Sequence, residues 1–594
     1  MLKTINPRLS KKLKHFSLFA AALTLNFNYA NAQVEKEKDV KAFEFLSKEN
    51  AKGFERKAQE FKNGAVVSAH PEATAVGVAI LKKGGNAVDA TVAVKFALAV
   101  VYPNAGNIGG GGFLIYRSAK GKIASMDFRE KAPALAGRDM FLDVNGDPIS
   151  EKSKEGHLAA GVPGSVAGMV ELHKKYGKLK WAELVEPAYQ LAKNGFKLTK
   201  QQANELNRLR SKFQQFNPLG TVFIKEKGEW ATGDVLVQTE LANTMRLIRD
   251  KGRAGFYEGE VAEFIEAEMK RGGGLISKED LKNYHAAWRK PIVGDYKGYK
   301  VITMPPTSSG GIALVQMLQS VSAYPLSKWG FNADSTTQVM VEAERRVYAD
   351  RAKHLGDPDF WKVPQKELLE PAYNKNRMAS LNWDKATPSA EIQAGEFAIK
   401  ESEETTHFSI VDQEGNAVSL TTTINTSYGN YVVVKGAGFL LNNEMDDFSV
   451  KPGVANYFGL IGYEANAIAP NKRMLSSMTP TILEKDGKLA MVVGTPGGST
   501  IMTSVFQTIL NVVDFGMDMQ QAVNAKKFHH QWLPDRVDIE PNALTPEIQQ
   551  KLEAKGYTFY KRNSIGRVDA ILVTKTGLYQ TGADPRGDDT AGGW

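Results

Sequence analysis

From residue 71 to residue 101 the apolar positions recur at intervals of three and four, which predicts two helices in succession. The first runs over Pro71–Lys83 and is stopped by Gly84-Gly85. The second, Asn86–Val101, is so rich in Ala and Val that it must be buried. A glycine tract, Gly106-Asn107-Ile108-Gly109-Gly110-Gly111-Gly112, leads into strand-like Phe113–Arg117, and Ser125–Phe128 reads as another strand. The helical period dominates residues 165–285, most clearly over Trp181–Asn194 and Gln238–Asp250. A polar, Pro-containing linker spans Lys385–Glu404. Beyond it the period changes to two. Thr406–Val411 and Ala417–Ile424, joined by the turn Gln413-Glu414-Gly415-Asn416, predict a hairpin. A strand over Leu489–Val493 then enters Gly494-Thr495-Pro496-Gly497-Gly498 and a helix from Ser499 to Val513. Strands flanked by helical blocks on both sides predict a layered α/β fold.

Composition narrows the chemistry. The 594 residues are 42% hydrophobic and 24% charged, an ordinary globular balance, and none is cysteine. That excludes disulfides, thiolate metal sites and a cysteine nucleophile. Residues 1–32 pair a basic start (Lys3, Arg8, Lys11, Lys12, Lys14) with the apolar run Phe16–Leu25 and an Ala30-Asn31-Ala32 site. This pattern predicts a secretory signal peptide, and hence export to the periplasm or the medium, because the run is far shorter than the roughly 20 residues of a membrane span. The segment holds five of the 75 basic residues and none of the 66 acidic ones, so the net charge of +9 falls to +4 without it. Bases and acids interleave in the remainder, which gives no nucleic-acid signature.

Most familiar motifs fail on inspection. The glycine tract lacks G-x-x-x-x-G-K-[ST] and opens a strand rather than a helix, so a close backbone approach explains it better than a phosphate cradle. His70-Pro71-Glu72 has no Pro-Cys-x-x-Cys partner, and His529-His530 lacks ligand spacing, so no metal or organic cofactor is expected. There is no G-x-S-x-G. Thr307-Ser308-Ser309-Gly310-Gly311 and Ser476-Ser477 read as turns or helix caps. One candidate survives at the junction of linker and strand, in Glu404-Thr405-Thr406-His407-Phe408-Ser409. A threonine hydroxyl becomes a useful nucleophile when a base stands beside it, and its own α-amine serves if cleavage makes it the first residue. That amine has an ordinary pKa of about 7.7–8.0, so part of it is neutral near pH 7.

Taken together, several segments resemble the γ-glutamyltranspeptidase family. They are Thr405–Ser409, Asn425-Thr426-Ser427-Tyr428-Gly429, Leu440–Ser449, Ser476–Thr481 and Gly494–Ser499, with Gly84–Ala90, Gly109–Phe113, Asp127-Phe128-Arg129-Glu130 and Pro305–Gly311 upstream. The resemblance implies a precursor that cuts itself at Glu404–Thr405 into a large subunit, 33–404, and a small subunit, 405–594. The two would fold together as a four-layer αββα sandwich of the N-terminal-nucleophile hydrolase type. It further implies that Thr405 attacks the γ-amide of glutathione or another γ-glutamyl compound and passes the acyl group to water, an amino acid or a dipeptide. Arg129, Ser476 and Ser477 would hold the donor α-carboxylate. Asn425, Glu444 and Asp447 would hold its ammonium. Thr423 would hydrogen-bond the nucleophile. Gly497 and Gly498 would bind the oxyanion.

Phe458 departs from the family pattern, because it stands where bacterial members usually carry a gating tyrosine; Tyr457 is adjacent. Two other readings compete with the transferase: a glutaryl or cephalosporin acylase of the same superfamily, and an inactive binding homologue. A glutaryl donor has no ammonium, so the acids Glu444 and Asp447 beside Arg129 weigh against the first. The presence of Thr405, Thr423 and Gly497-Gly498 weighs against the second.

Overall fold

The structure is a computed structural model that describes residues 58–395, 406–451, 453–454, 456, 460–461 and 463–594. The predicted leader 1–32, the scissile pair Glu404–Thr405 and the gate residue Phe458 lie outside the described residues.

Fourteen strands build two sheets of seven. In chain order they are β1 (Gln59–Phe61), β2 (Ala65–Ser68), β3 (Gly111–Arg117), β4 (Ile123–Asp127), β5 (Ala287–Arg289), β6 (Ile292–Tyr296), β7 (Tyr299–Thr303), β8 (Thr406–Val411), β9 (Ala417–Thr423), β10 (Thr481–Lys485), β11 (Lys488–Gly494), β12 (Asp569–Val573), β13 (Tyr579–Gly582) and β14 (Thr590–Gly593). One sheet has the order β14-β2-β8-β9-β3-β4-β5, the other β1-β13-β12-β11-β10-β7-β6, and neighbouring strands in both are antiparallel.

The central strands hide one face in the gap between the sheets. Val67, Phe113 and Ile115 meet Ile302, Ile482, Val492 and Ile571 there. Helices cover the outer faces. α1 (Pro71–Lys82) and α2 (Ala87–Val101) lie on the first sheet, and α3 (Gly310–Val321), α4 (Asp334–His354) and α5 (Thr500–Val513) lie on the second. The order helix, sheet, sheet, helix is the expected αββα sandwich. It explains why α2 is so rich in Ala and Val: every one of its residues is buried, including Asp89 and Lys95.

The hairpin forms as the alternation predicts, with Thr406 opposite Thr422 and Val411 opposite Ala417. Predicted boundaries fall within about two residues of the observed ones. His70 caps α1, its Nδ1 accepting from the Glu72 N–H at 3.3 Å. His529 and His530 are core residues, bonded to Thr503 and Asp535 respectively. Among the described residues no helix is long and apolar enough to cross a membrane.

Candidate active site

The glycine tract explains how the site is brought together. A Cβ on Gly110 would stand 2.0 Å from the Thr423 carbonyl oxygen, and one on Gly109 would stand 2.1 Å from that of Leu440. Only hydrogen fits at either position. The tract thereby holds the end of β9 and the 440–447 segment against one another. The Asn107 side chain locks the turn, donating to the Thr423 carbonyl at 2.8 Å and accepting from the Gly110 N–H at 3.0 Å. Buried Lys95 of α2 donates to the Asn107 carbonyl from below.

Beyond β9 the chain turns on Asn425, whose φ of 69° lies in the left-handed region that Asn tolerates. Its N–H bonds Thr423 Oγ1 at 2.6 Å and its side-chain amide donates to the Asn443 carbonyl at 2.9 Å, while its Oδ1 is buried without a partner among the described residues. Asn443 precedes the short helical turn Glu444–Asp447. That turn delivers two carboxylates to Arg129, which follows β4. Arg129 Nη1 lies 2.6 Å from Glu444 Oε2, and Nη2 bonds Asp447 Oδ2. Glu130 is 3.5 Å away. Arg129 Nε and Nη2 also donate to the carbonyls of Met474 (3.2 Å) and Leu475 (3.1 Å), next to Ser476 and Ser477.

One guanidinium thus faces three acids, and all four side chains are fully buried. Burial without enough countercharge raises the carboxyls despite Arg129: Glu130 is pushed up to about 7, Glu444 to about 8 and Asp447 well above the usual carboxylate range. A ligand bringing its own ammonium and carboxylate would balance such a pocket. Its ammonium would replace Arg129 as partner of Glu444 and Asp447, and its carboxylate would take the freed guanidinium.

The remaining element comes from the second sheet. β11 passes β8 closely, since a Cβ on Gly494 would touch the His407 ring at 2.4 Å. It ends in Gly497 and Gly498, with φ of 141° and 61°, ahead of α5. Among the described residues nothing accepts the N–H of either glycine. Two free donors at a helix N-terminus can stabilise a developing oxyanion.

The structure therefore gathers Thr423, Asn425, Arg129, Glu444, Asp447, Ser476 and Ser477 in one buried region, and brings Gly494, three residues before Gly497, against His407 of β8. Sequence reasoning missed the direct pairing of Arg129 with both acids, as well as Glu130, Lys95 and Asn107. The Asp127–Glu130 and Gly106–Gly112 segments contained Glu130 and Asn107, but a sequence gives no distance between segments.

The raised carboxyls lead to a pH prediction. Below about pH 8 Glu444 is largely protonated in the empty site, and binding an ammonium requires it to ionise. Inhibition by L-glutamate, whose own groups keep their charges across this window, should tighten from pH 6 to pH 8 by up to about tenfold per unit and then level off. Glu444→Gln should flatten that rise. A wild-type inhibition constant that is flat over pH 6–8 would contradict it.

The architecture and the threonine-bearing hairpin define an α/β-sandwich hydrolase of the N-terminal-nucleophile type. The family model for γ-glutamyltranspeptidase matches residues 73–594, and the chain belongs to that family. It is 48% identical over 535 residues to the glutathione hydrolase proenzyme of Escherichia coli K12, covering 90% of this chain and 92% of that one. The solved γ-glutamyltranspeptidase of Helicobacter pylori matches at 44% identity with a TM-score of 0.55, over 58% of this chain and 97% of that one. A cephalosporin acylase from Bacillus halodurans shares the fold more completely (TM-score 0.80, 92% and 98% covered) at only 27% identity. The acylase is thus a structural relative with a more distant sequence.

Proposed function

We propose that the protein is an exported proenzyme that cleaves itself at Glu404–Thr405 and then works, as a pair of subunits, as a γ-glutamyltransferase and glutathione hydrolase. The transferase and hydrolase activities go with its family. The residue roles rest on the gathered site. Thr405 Oγ attacks the preceding carbonyl during maturation and the γ-amide of the donor during turnover, with its new α-amine as base. Arg129, Ser476 and Ser477 hold the donor α-carboxylate, and Asn425, Glu444 and Asp447 hold its ammonium. Gly497 and Gly498 donate to the oxyanion, contacts worth roughly 3–4 kcal/mol each. Water, an amino acid or a dipeptide then takes the acyl group. The observation that carries this reading over an acylase is the buried Arg129 facing Glu444 and Asp447, a site for a zwitterionic amino-acid end.

The direct test is to purify the protein, separate its chains on a denaturing gel, sequence the N-termini and assay γ-glutamyl-p-nitroanilide. The expected fragments are 33–404 and 405–594, the second starting with Thr. A single inactive chain, or a preference for glutaryl over γ-glutamyl donors, would overturn the reading.

Phe458, in the place of a gating tyrosine, can bury a ring over the pocket but offers no hydroxyl. A neutral hydrogen bond contributes about 0.5–1.5 kcal/mol, so closure should be about 2- to 13-fold less favoured than with tyrosine. Phe458→Tyr is therefore expected to lower the hydrolysis-to-transfer ratio at fixed donor and acceptor dipeptide. Equal product ratios would show that the missing hydroxyl is silent.

A further inference from the structure

We propose that Arg351 is a positioning residue for the donor α-carboxylate, acting through the hydroxyl of Ser477; this rests on the reading of the site given above. Arg351 belongs to α4 and is only 1% exposed. Its Nη2 donates to Ser477 Oγ at 2.8 Å, and Nε, on the same edge of the guanidinium, donates to Ser309 Oγ at 3.2 Å. Ser309 in turn donates to the Ser476 carbonyl from its hydroxyl at 2.9 Å and from its N–H at 2.7 Å. The 474–477 segment is thus gripped by two buried arginines. Arg129 takes its main-chain carbonyls, and Arg351 takes its serine side chain.

The hydroxyl chemistry makes this more than a clamp. A serine hydroxyl has one proton to donate and two lone pairs that accept. Arg351 occupies a lone pair, so the proton must point away from it. Among the described residues that proton has no acceptor. A carboxylate arriving at Arg129 would supply one. The guanidinium polarises the O–H bond and fixes its direction, turning an ambivalent rotor into a committed donor. Arg is suited to this because its planar fork holds two hydroxyls in fixed directions, whereas the donors of a lysine ammonium share one rotating nitrogen.

The test uses the matured enzyme with Arg351→Lys, which keeps charge but loses the fork, Arg351→Gln, which keeps a donor but loses charge, Ser477→Ala, and the Arg351→Lys/Ser477→Ala pair. Two competitive ligands are compared: L-glutamate, and 4-aminobutyrate, which lacks the α-carboxylate. The expected result is a three- to tenfold weaker inhibition by glutamate in each single variant, with inhibition by 4-aminobutyrate within about twofold of wild type, and with kcat within about twofold of wild type in the two Arg351 variants. The double variant should be no more than about twofold worse than the worse single one, because both changes remove the same interaction. Unchanged glutamate inhibition, additive losses, or equal losses for both ligands would overturn the proposal. So would failure of both Arg351 variants to mature, since Arg351 would then be a purely structural clamp. An Arg129→Lys enzyme with unaltered glutamate inhibition would instead sink the underlying reading of the site.

Discussion

Replacing Thr405 with alanine should leave one folded, uncut chain without activity. The two losses share a cause. In the proposed mechanism the hydroxyl that attacks the Glu404 carbonyl to form the ester is the one that later attacks the donor, and the amine that serves as base exists only after the first event. Removing a nucleophile that also creates its own base leaves no partial route, so turnover should fall to background, the largest effect of any single substitution here. Circular dichroism should still report a folded protein, because β8 pairs from Thr406 onward and needs nothing from the Thr405 side chain to do so. Thr405→Ser retains a hydroxyl and should still cleave, at an altered rate. A Thr405→Ala chain that splits normally on a denaturing gel would remove Thr405 from the mechanism.

Arg129→Lys comes next in size. Arg129 reaches two acids and two main-chain carbonyls from one planar group, and the proposed donor carboxylate would use the same fork. Lysine keeps the charge but loses the bidentate geometry. Losing one charge-assisted hydrogen bond costs about 1.5–3 kcal/mol, or about 10- to 150-fold in kcat/KM. The loss should appear mainly as a higher donor KM, because the contact forms with the substrate and persists through the reaction. Steady-state kinetics with γ-glutamyl-p-nitroanilide measure it, and an unchanged kcat/KM would take Arg129 out of the donor site. Burial adds a second consequence. A lysine ammonium is a single point charge that cannot replace both contacts of the guanidinium, so at least one of Glu444 and Asp447 would lose its close cation and remain protonated to higher pH than in the wild type.

Much of this protein is written locally along its chain. The two-residue alternation of Thr406–Val411 and Ala417–Thr423, with a glycine turn between them, determines a hairpin whatever surrounds it. The Ala and Val run of α2 demands burial on every side, and Gly109 and Gly110 announce a close approach by having no side chain to keep another strand away. These signals survive in a sequence because each depends on neighbours within a few residues.

What the sequence could not decide is which distant segments meet. β14, at the C-terminus, pairs with β2, more than five hundred residues earlier. Arg129 closes on Glu444 and Asp447 over more than three hundred. Arg351 reaches Ser477 only because α4 packs against α3 in the helical layer that covers the second sheet. Such contacts are set by packing two sheets and their helices into one solid, and by the need to pair every buried charge and donor that packing encloses. The sequence by itself determined the elements and named most of the residues of the candidate site. Only the tertiary structure decided that one buried guanidinium would face three acids, since that depends on the positions of chains that have no local reason to be neighbours.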